Sequence, residues 1–166
     1  MYIQFVLQRS MPNNYLPHTE TLKLWITRSS RAAWAPILVF GIHIVLAKLF
    51  DIYTTFPDID IPMHFFGGVA ITHFLLRSVA VAVDLSLLGS PNRTGVALLA
   101  FLAASTITIL WEFFEWTLDR LLQRHWQLSL DDTLFDMFLG MLGSIVYLAV
   151  TRGRSRGSSS STINGR

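Results

Sequence analysis

Apolar residues in this chain fall into long continuous runs rather than alternating with polar ones. Four runs are long enough to cross a bilayer, which takes about 20 mostly apolar residues in a helix. They cover residues 32–50, 63–83, 95–116 and 133–150. The second is interrupted by His73 and Arg77, the third turns polar near its end, and the fourth is polar only at Asp136 and Ser144. Continuous runs of this length favour helices over strands, because in lipid a helix satisfies its own backbone groups. The pattern therefore predicts an all-α integral membrane bundle of four transmembrane helices.

The connectors fit that reading. Phe56-Pro57-Asp58 and Ile61-Pro62 separate the first two runs, and Gly89-Ser90-Pro91-Asn92 is a turn between the second and third. Residues 120–131 form a longer link whose Leu121, Leu122, Trp126 and Leu128 suit a position along the membrane surface. Residues 1–31 are too polar to span and are expected to form a cytoplasmic segment. Residues 32–151 are expected to form the membrane domain. The Arg-, Gly- and Ser-rich residues 152–166 are expected to be a disordered cytoplasmic tail. Met1 to Tyr15 lack the features of a cleavable signal peptide.

Composition strengthens the membrane reading. Apolar residues make up 52% and charged residues 14%, against about 25% charged in soluble domains. With no cysteine, disulfides and thiolate metal sites are excluded. A net charge of +2 gives no reason to expect a nucleic-acid partner. Its distribution matters more. Arg9, Lys23, Arg28, Arg31, Arg93, Arg152, Arg154, Arg156 and Arg166 fall on one side of the predicted topology. Only Lys48, Arg120 and Arg124 fall on or near the other. The positive-inside rule then places both termini in the cytoplasm of a cell whose inner membrane holds the chain. Trp34, Trp111, Trp116 and Trp126 lie near span ends, where an aromatic belt is expected.

Acidic residues gather on the opposite side. Of eleven, all but Glu20 and Asp84 fall at the outer ends of helices or in outer connectors. Thr108, Glu112, Glu115 and Asp119 share one helix face, and Asp132, Asp136, Gly140 and Ser144 share another. Gly140 and Ser144 are a small-x-x-x-small pair suited to close helix approach, which turns Asp132 and Asp136 inward. His64 shares a face with Gly67 and Gly68, and His43 shares one with Ala47 and Asp51. Arg77 and Asp84, seven residues apart, are positioned to pair.

Each buried carboxylate costs up to about 3 kcal/mol at mid-membrane, so several together need protons, basic partners or a cation. Oxygen ligands with one imidazole suit Mg, Mn, Ca or Zn. The expected site is a divalent-metal site on the outer side built from His64, Glu112, Asp132 and Asp136, with Glu115 as catalytic base. Asp60 and Glu115 would support or replace these ligands.

The runs DIPMHFFGG (60–68), WEFFEW (111–116) and DTLFD (132–136) resemble the YjdF-like bacterial membrane proteins, a family without an assigned function. A looser likeness runs to VanZ-like proteins, linked to teicoplanin resistance. The likeness spans residues 58–148, and Gly140 stands where that pattern has Asn. It implies a multi-pass membrane protein of the cell envelope. Three functions fit: an enzyme acting on a lipid or envelope substrate, a cation or proton transporter component, or a non-catalytic accessory protein. One-sided polarity favours a pocket over a conduit, and no nucleophile triad, phosphate loop or redox motif is present.

Overall fold

The computed structural model describes residues 17–50, 52–123, 127 and 129–160. Six α-helices form within them: α1 (His18–Ser30), α2 (Trp34–Leu49), the single turn α3 (Ile52–Thr55), α4 (Asp60–Asp84), α5 (Arg93–Leu122) and α6 (Leu130–Ser160). A 3-10 turn, Pro57–Ile59, precedes α4. No strand occurs among the described residues. The chain is an all-α protein whose α4, α5 and the part of α6 from Leu130 to Arg152 are each long and apolar enough to cross a membrane.

Local chemistry sets the helix ends. Pro36 and Pro62 lie in the first turns of α2 and α4, where proline costs no intrahelical hydrogen bond. The Asn92 side chain accepts from the Gly95 N–H at 2.8 Å and caps α5. Gln123, at φ 52°, ends α5 in the left-handed conformation. Ser129 Oγ accepts from the Asp132 N–H at 3.1 Å, at the start of α6.

The fourth span departs from expectation. Helix α2 has 16 residues, about 24 Å at 1.5 Å per residue, short of the roughly 30 Å hydrocarbon core. It is preceded by α1, bent from it by 57°, and the two together pass as one broken span or re-entrant pair. Residues 18–30, expected to be too polar to span and to form part of a cytoplasmic segment, are helical and dock against α4. Trp25 Nε1 donates to the Ser78 carbonyl at 3.0 Å, and Arg28 meets Asp84 at 2.9 Å. Arg28 is thus the partner the fold gives Asp84. At the other end, α6 runs on to Ser160, past Val150 and into the tail expected to be disordered. Arginine is a good helix former, and no proline breaks the run. Residues 161–166 lie outside the described part, as do Asp51, Arg124, Trp126 and Leu128.

Packing is inside-out by the standards of a water-soluble core. Ala100 and Ala104 are wholly buried, and the largest fully buried side chains are Thr72 and Ser144. Large apolar groups point outward: Ile37, Leu102, Leu110, Phe113, Phe138 and Ile145 are all exposed. In lipid nothing drives large apolar side chains inward, and small residues win the interface because they let backbones approach. The closest approach joins α4 to α6. A methyl group on Gly68 would strike the Gly140 backbone, and one on Gly143 would strike the Phe65 carbonyl oxygen. A methyl on Gly140 would come within 2.6 Å of Thr108 Cγ2 on α5. Gly68, Gly140 and Thr108 thus make a three-helix junction. Ser144 Oγ donates to the Gly140 carbonyl at 3.0 Å, and Thr72 Oγ1 to the Gly68 carbonyl at 2.7 Å. Their hydroxyls leave no polar atom stranded beside the seam.

Candidate functional site

One helical turn from that junction, the polar stripes meet. Helices α4 and α6 run in parallel, as the successive contacts His64–Asp136, Gly68–Ser144 and His73–Tyr147 show. His64 stands four residues before Gly68, and Asp136 four before Gly140. The seam therefore brings both to the same height. Helix α5 runs antiparallel to them, and Glu112, four residues beyond Thr108, arrives beside them.

His64 is the centre. Its side chain is 9% exposed. Nε2 lies 3.4 Å from Asp60 Oδ1 and 3.8 Å from Asp136 Oδ1; Nδ1 lies 3.6 Å from Glu112 Oε1. Two groups of potential ligand atoms result, each with all members within 4.8 Å of one another: Asp60, His64 and Asp136, and His64, Glu112 and Glu115. Glu112 is 2% exposed and Asp136 5%. Gln127, in the connector after α5, donates from Nε2 to the Glu112 carbonyl at 2.9 Å and to Oε2 at 3.3 Å. Its backbone N–H donates to Asp119 Oδ2 at 2.9 Å. Glu112 Oε1 is buried and has no hydrogen-bond partner.

Charge counting shows what this arrangement demands. One imidazole carries at most one positive charge, and four carboxyl groups surround it. Protons or a cation must balance the remainder in a low-dielectric setting. The separations bear on which. Distances of 3.4 to 3.8 Å exceed the hydrogen-bond range of about 2.7 to 3.2 Å. Ligands about 2.0 to 2.2 Å from a tetrahedral ion stand about 3.3 to 3.6 Å apart. The Asp60–His64 pair at 3.4 Å falls in that range and the His64–Asp136 pair at 3.8 Å lies just beyond it; the group has the ligand chemistry of a small divalent-ion site.

Of the residues predicted from sequence, His64, Glu112, Glu115 and Asp136 come together. Asp132 belongs to neither group; it sits in the first turn of a helix that begins beside Ser129, where an acidic side chain suits the helix dipole. Asp60, expected in a supporting role, takes a place beside His64 instead, because it begins α4 one turn before it. Gln127 was not anticipated, since a single amide in an irregular connector carries no periodic signal.

A cavity of about 300 Å³ adjoins the site, lined by α2, α4 and α5, with His64 and His43 among its walls. His43 Nδ1 and the Tyr53 hydroxyl are 2.7 Å apart. Tyr53 lies outside the spans; burial first, then the nearby Asp60 and Glu115 carboxylates, push its hydroxyl above the usual tyrosine range. Tyr53 and His43 share one hydrogen bond, whose direction follows the His43 tautomer. Midway along α4, His73 Nδ1 is 2.8 Å from the Tyr147 hydroxyl, with the Trp34 ring edge-on at 5.6 Å.

Residues 15–157 match the family described as "Predicted membrane protein (DUF2238)", and the chain belongs to that family. An "Uncharacterized protein" of Thermotoga maritima is 30% identical over 108 residues, 61% of this chain and 52% of that protein. The chain spans about half the length of this curated relative. No solved structure matches.

Proposed function

We propose that this DUF2238 family member holds a divalent cation at one end of its membrane bundle and uses it on a lipid or envelope substrate. The ligands are His64 Nε2, Asp60 and Asp136. Glu112 Oε1, 3.6 Å from His64 Nδ1, faces the far side of the ring and would orient it electrostatically, as carboxylates behind metal-bound histidines commonly do. Glu115 is the candidate base. When bound, the ion supplies Lewis acidity toward a phosphoryl or carbonyl oxygen. The basic residues flanking the spans support an outward-facing site, with both chain ends in the cytoplasm and the bundle in the inner membrane.

One observation carries this reading: a single buried imidazole has carboxylates from three helices facing both its nitrogens at ligand-pair spacing. A conduit would need a polar path onward. Below the site the buried hydroxyls of Thr72, Ser78 and Ser144 donate to helix carbonyls, which is ordinary backbone satisfaction and not a relay. That supports a pocket over a transport path.

Elemental analysis tests the proposal. Protein purified without chelator and reloaded with Mg, Mn, Ca or Zn should retain about one ion per chain. His64→Ala and Asp136→Asn should lose it. Wild-type protein that holds none would overturn the metal reading. Reporter fusions at Arg166 test sidedness, and an exterior readout would reverse it.

A further inference from the structure

Helices α2 and α5 each pack mainly against α4 and meet each other through the Trp111 ring. The space between them is the cavity beside the site. Its walls are Val39 and Phe40 of α2, Gly67 and Ile71 of α4, and Ile107 and Trp111 of α5. Phe40 is 50% exposed and Ile107 37%, so the mouth lies among side chains that face the bilayer. Near the site end, Trp111 closes the gap, with Phe40 at 5.8 Å and His43 at 5.7 Å. Polar groups on the walls are few: His43, His64 and Thr108. Thr108 is occupied by its own helix, donating to the Ala104 carbonyl at 3.1 Å. The two imidazoles are left as the polar features.

Gly67 distinguishes this cleft from a packing defect. Its neighbour Gly68 is required by the helix seam, but a methyl on Gly67 would meet nothing within 4 Å. Glycine in a helix interior costs about 1 kcal/mol relative to alanine, and no contact in the fold repays that cost. The missing side chain instead leaves the α4 wall flat where the cavity runs past it. An apolar slot of about 300 Å³ lies within the size range of small-ligand pockets, about 300 to 1,000 Å³. One end of it carries polar chemistry and its side opens toward lipid.

We propose that this cleft holds the hydrocarbon chain of a membrane amphiphile that enters sideways from the bilayer. Its phosphate head lies at His64, facing His43 and Tyr53. The substrate class is a lipid-linked phosphate: a hydrocarbon chain joined to a phosphomonoester or phosphodiester. The chain fixes where the head sits. The bound cation offsets the carboxylates that would otherwise repel an anionic head. His43, with Nδ1 bonded to Tyr53, leaves its second ring nitrogen available to the head, as a donor in the tautomer protonated there. The choice of head group rests on the metal reading above; the placement of the chain does not.

Two measurements on the detergent-purified full chain separate them. The first is native mass spectrometry of retained dodecyl phosphate, with and without Mn, against dodecanol. The second is metal content on the same samples. Wild type and Gly67→Ala should each retain one dodecyl phosphate. Gly67→Leu, which fills the slot, should retain at least tenfold less with unchanged metal content. Ile107→Trp fills the slot from the opposite wall and should do the same, so the test does not depend on one variant folding. Retention undiminished in both filled variants would overturn the proposal. Retention that responds to slot filling but not to Mn keeps the chain site and removes the metal-dependent head. Dodecanol retained as well as the phosphate in the presence of Mn overturns the phosphate assignment.

Discussion

Replacing Gly68 by alanine adds one methyl group at the point where α4 and α6 come closest. Built on the existing backbone, the new carbon would lie 2.8 Å from the Gly140 carbonyl carbon, 2.9 Å from its Cα, and nearer still to its oxygen. These are backbone atoms in a helix, so no rotamer change can relieve the contact and the helices must part. Overpacking of this kind costs about 1 to 3 kcal/mol where side chains can adjust, and here the upper part of that range applies. Helix propensity returns about 1 kcal/mol. At Gly67 the same substitution meets open space and gains only the propensity. The two variants should therefore differ from each other by about 2 to 3 kcal/mol, on opposite sides of wild type. Reversible unfolding in mixed detergent and sodium dodecyl sulfate micelles measures this directly. The functional consequence follows from the four-residue offset. Parting the seam lengthens the 3.8 Å separation of His64 and Asp136, so Gly68→Ala should also bind the divalent ion at least tenfold more weakly. Equal stabilities for the two variants would refute the seam as the element that sets the site. So would an intact ion affinity in Gly68→Ala.

Further outcomes follow from named contacts. Glu112→Gln keeps the side-chain shape and removes a buried charge, so folding should be preserved while ion affinity drops about 10- to 100-fold; loss of folding in unfolding curves would contradict this. Trp25→Phe, which deletes the bond to the Ser78 carbonyl, should cost about 1 kcal/mol. Arg28→Ala should cost no more than about 1 kcal/mol, because that pair is partly exposed; a larger loss by either would mean that α1 anchors the bundle. Tyr53 titrates above the usual value of about 10 when folded. Above that pH the native state holds a proton that the unfolded chain releases, so stability falls as pH rises. Unfolding curves for Tyr53→Phe should fall less steeply than wild type above about pH 10, and parallel curves would remove that account.

Much of this was legible in sequence because membrane helices repeat with a known period. The Thr108–Glu112–Glu115 and Asp136–Gly140–Ser144 stripes face inward because each combines small and polar residues that lipid disfavours. What the period does not encode is how helices end and how connectors fold. Asp132 shares the stripe of Asp136, yet in the first turn of α6 it joins neither group of clustered ligand atoms. Asp60 looked like a loop residue, yet it opens α4 in register with His64. Gln127 lies beyond the end of α5, yet its amide reaches the Glu112 carbonyl. The docking of α1 was hidden for a related reason. Its polar ties to α4 include an indole N–H and an ion pair, and neither contributes to an apolar run.

His64 cannot serve its two carboxylate groups in the same way. A neutral imidazole has one N–H donor and one lone pair. If Nδ1 carries the proton, it points at Glu112 Oε1, the buried oxygen without another hydrogen-bond partner. The lone pair on Nε2 then faces Asp60 and Asp136, and a lone pair facing two carboxylates is repulsive unless a second proton or a cation stands between them. If Nε2 carries the proton instead, the repulsion moves to Glu112, whose other oxygen is already bonded to Gln127. Only the first tautomer places the vacancy where two carboxylates can share an ion with the ring. Gln127 favours the same outcome, since its amide holds Oε2 and leaves Oε1 turned toward Nδ1. The connector, the seam and the imidazole therefore act as one unit. Glu112 and Gln127 orient His64 from α5, and the Gly68–Gly140 contact brings Asp136 to it from α6.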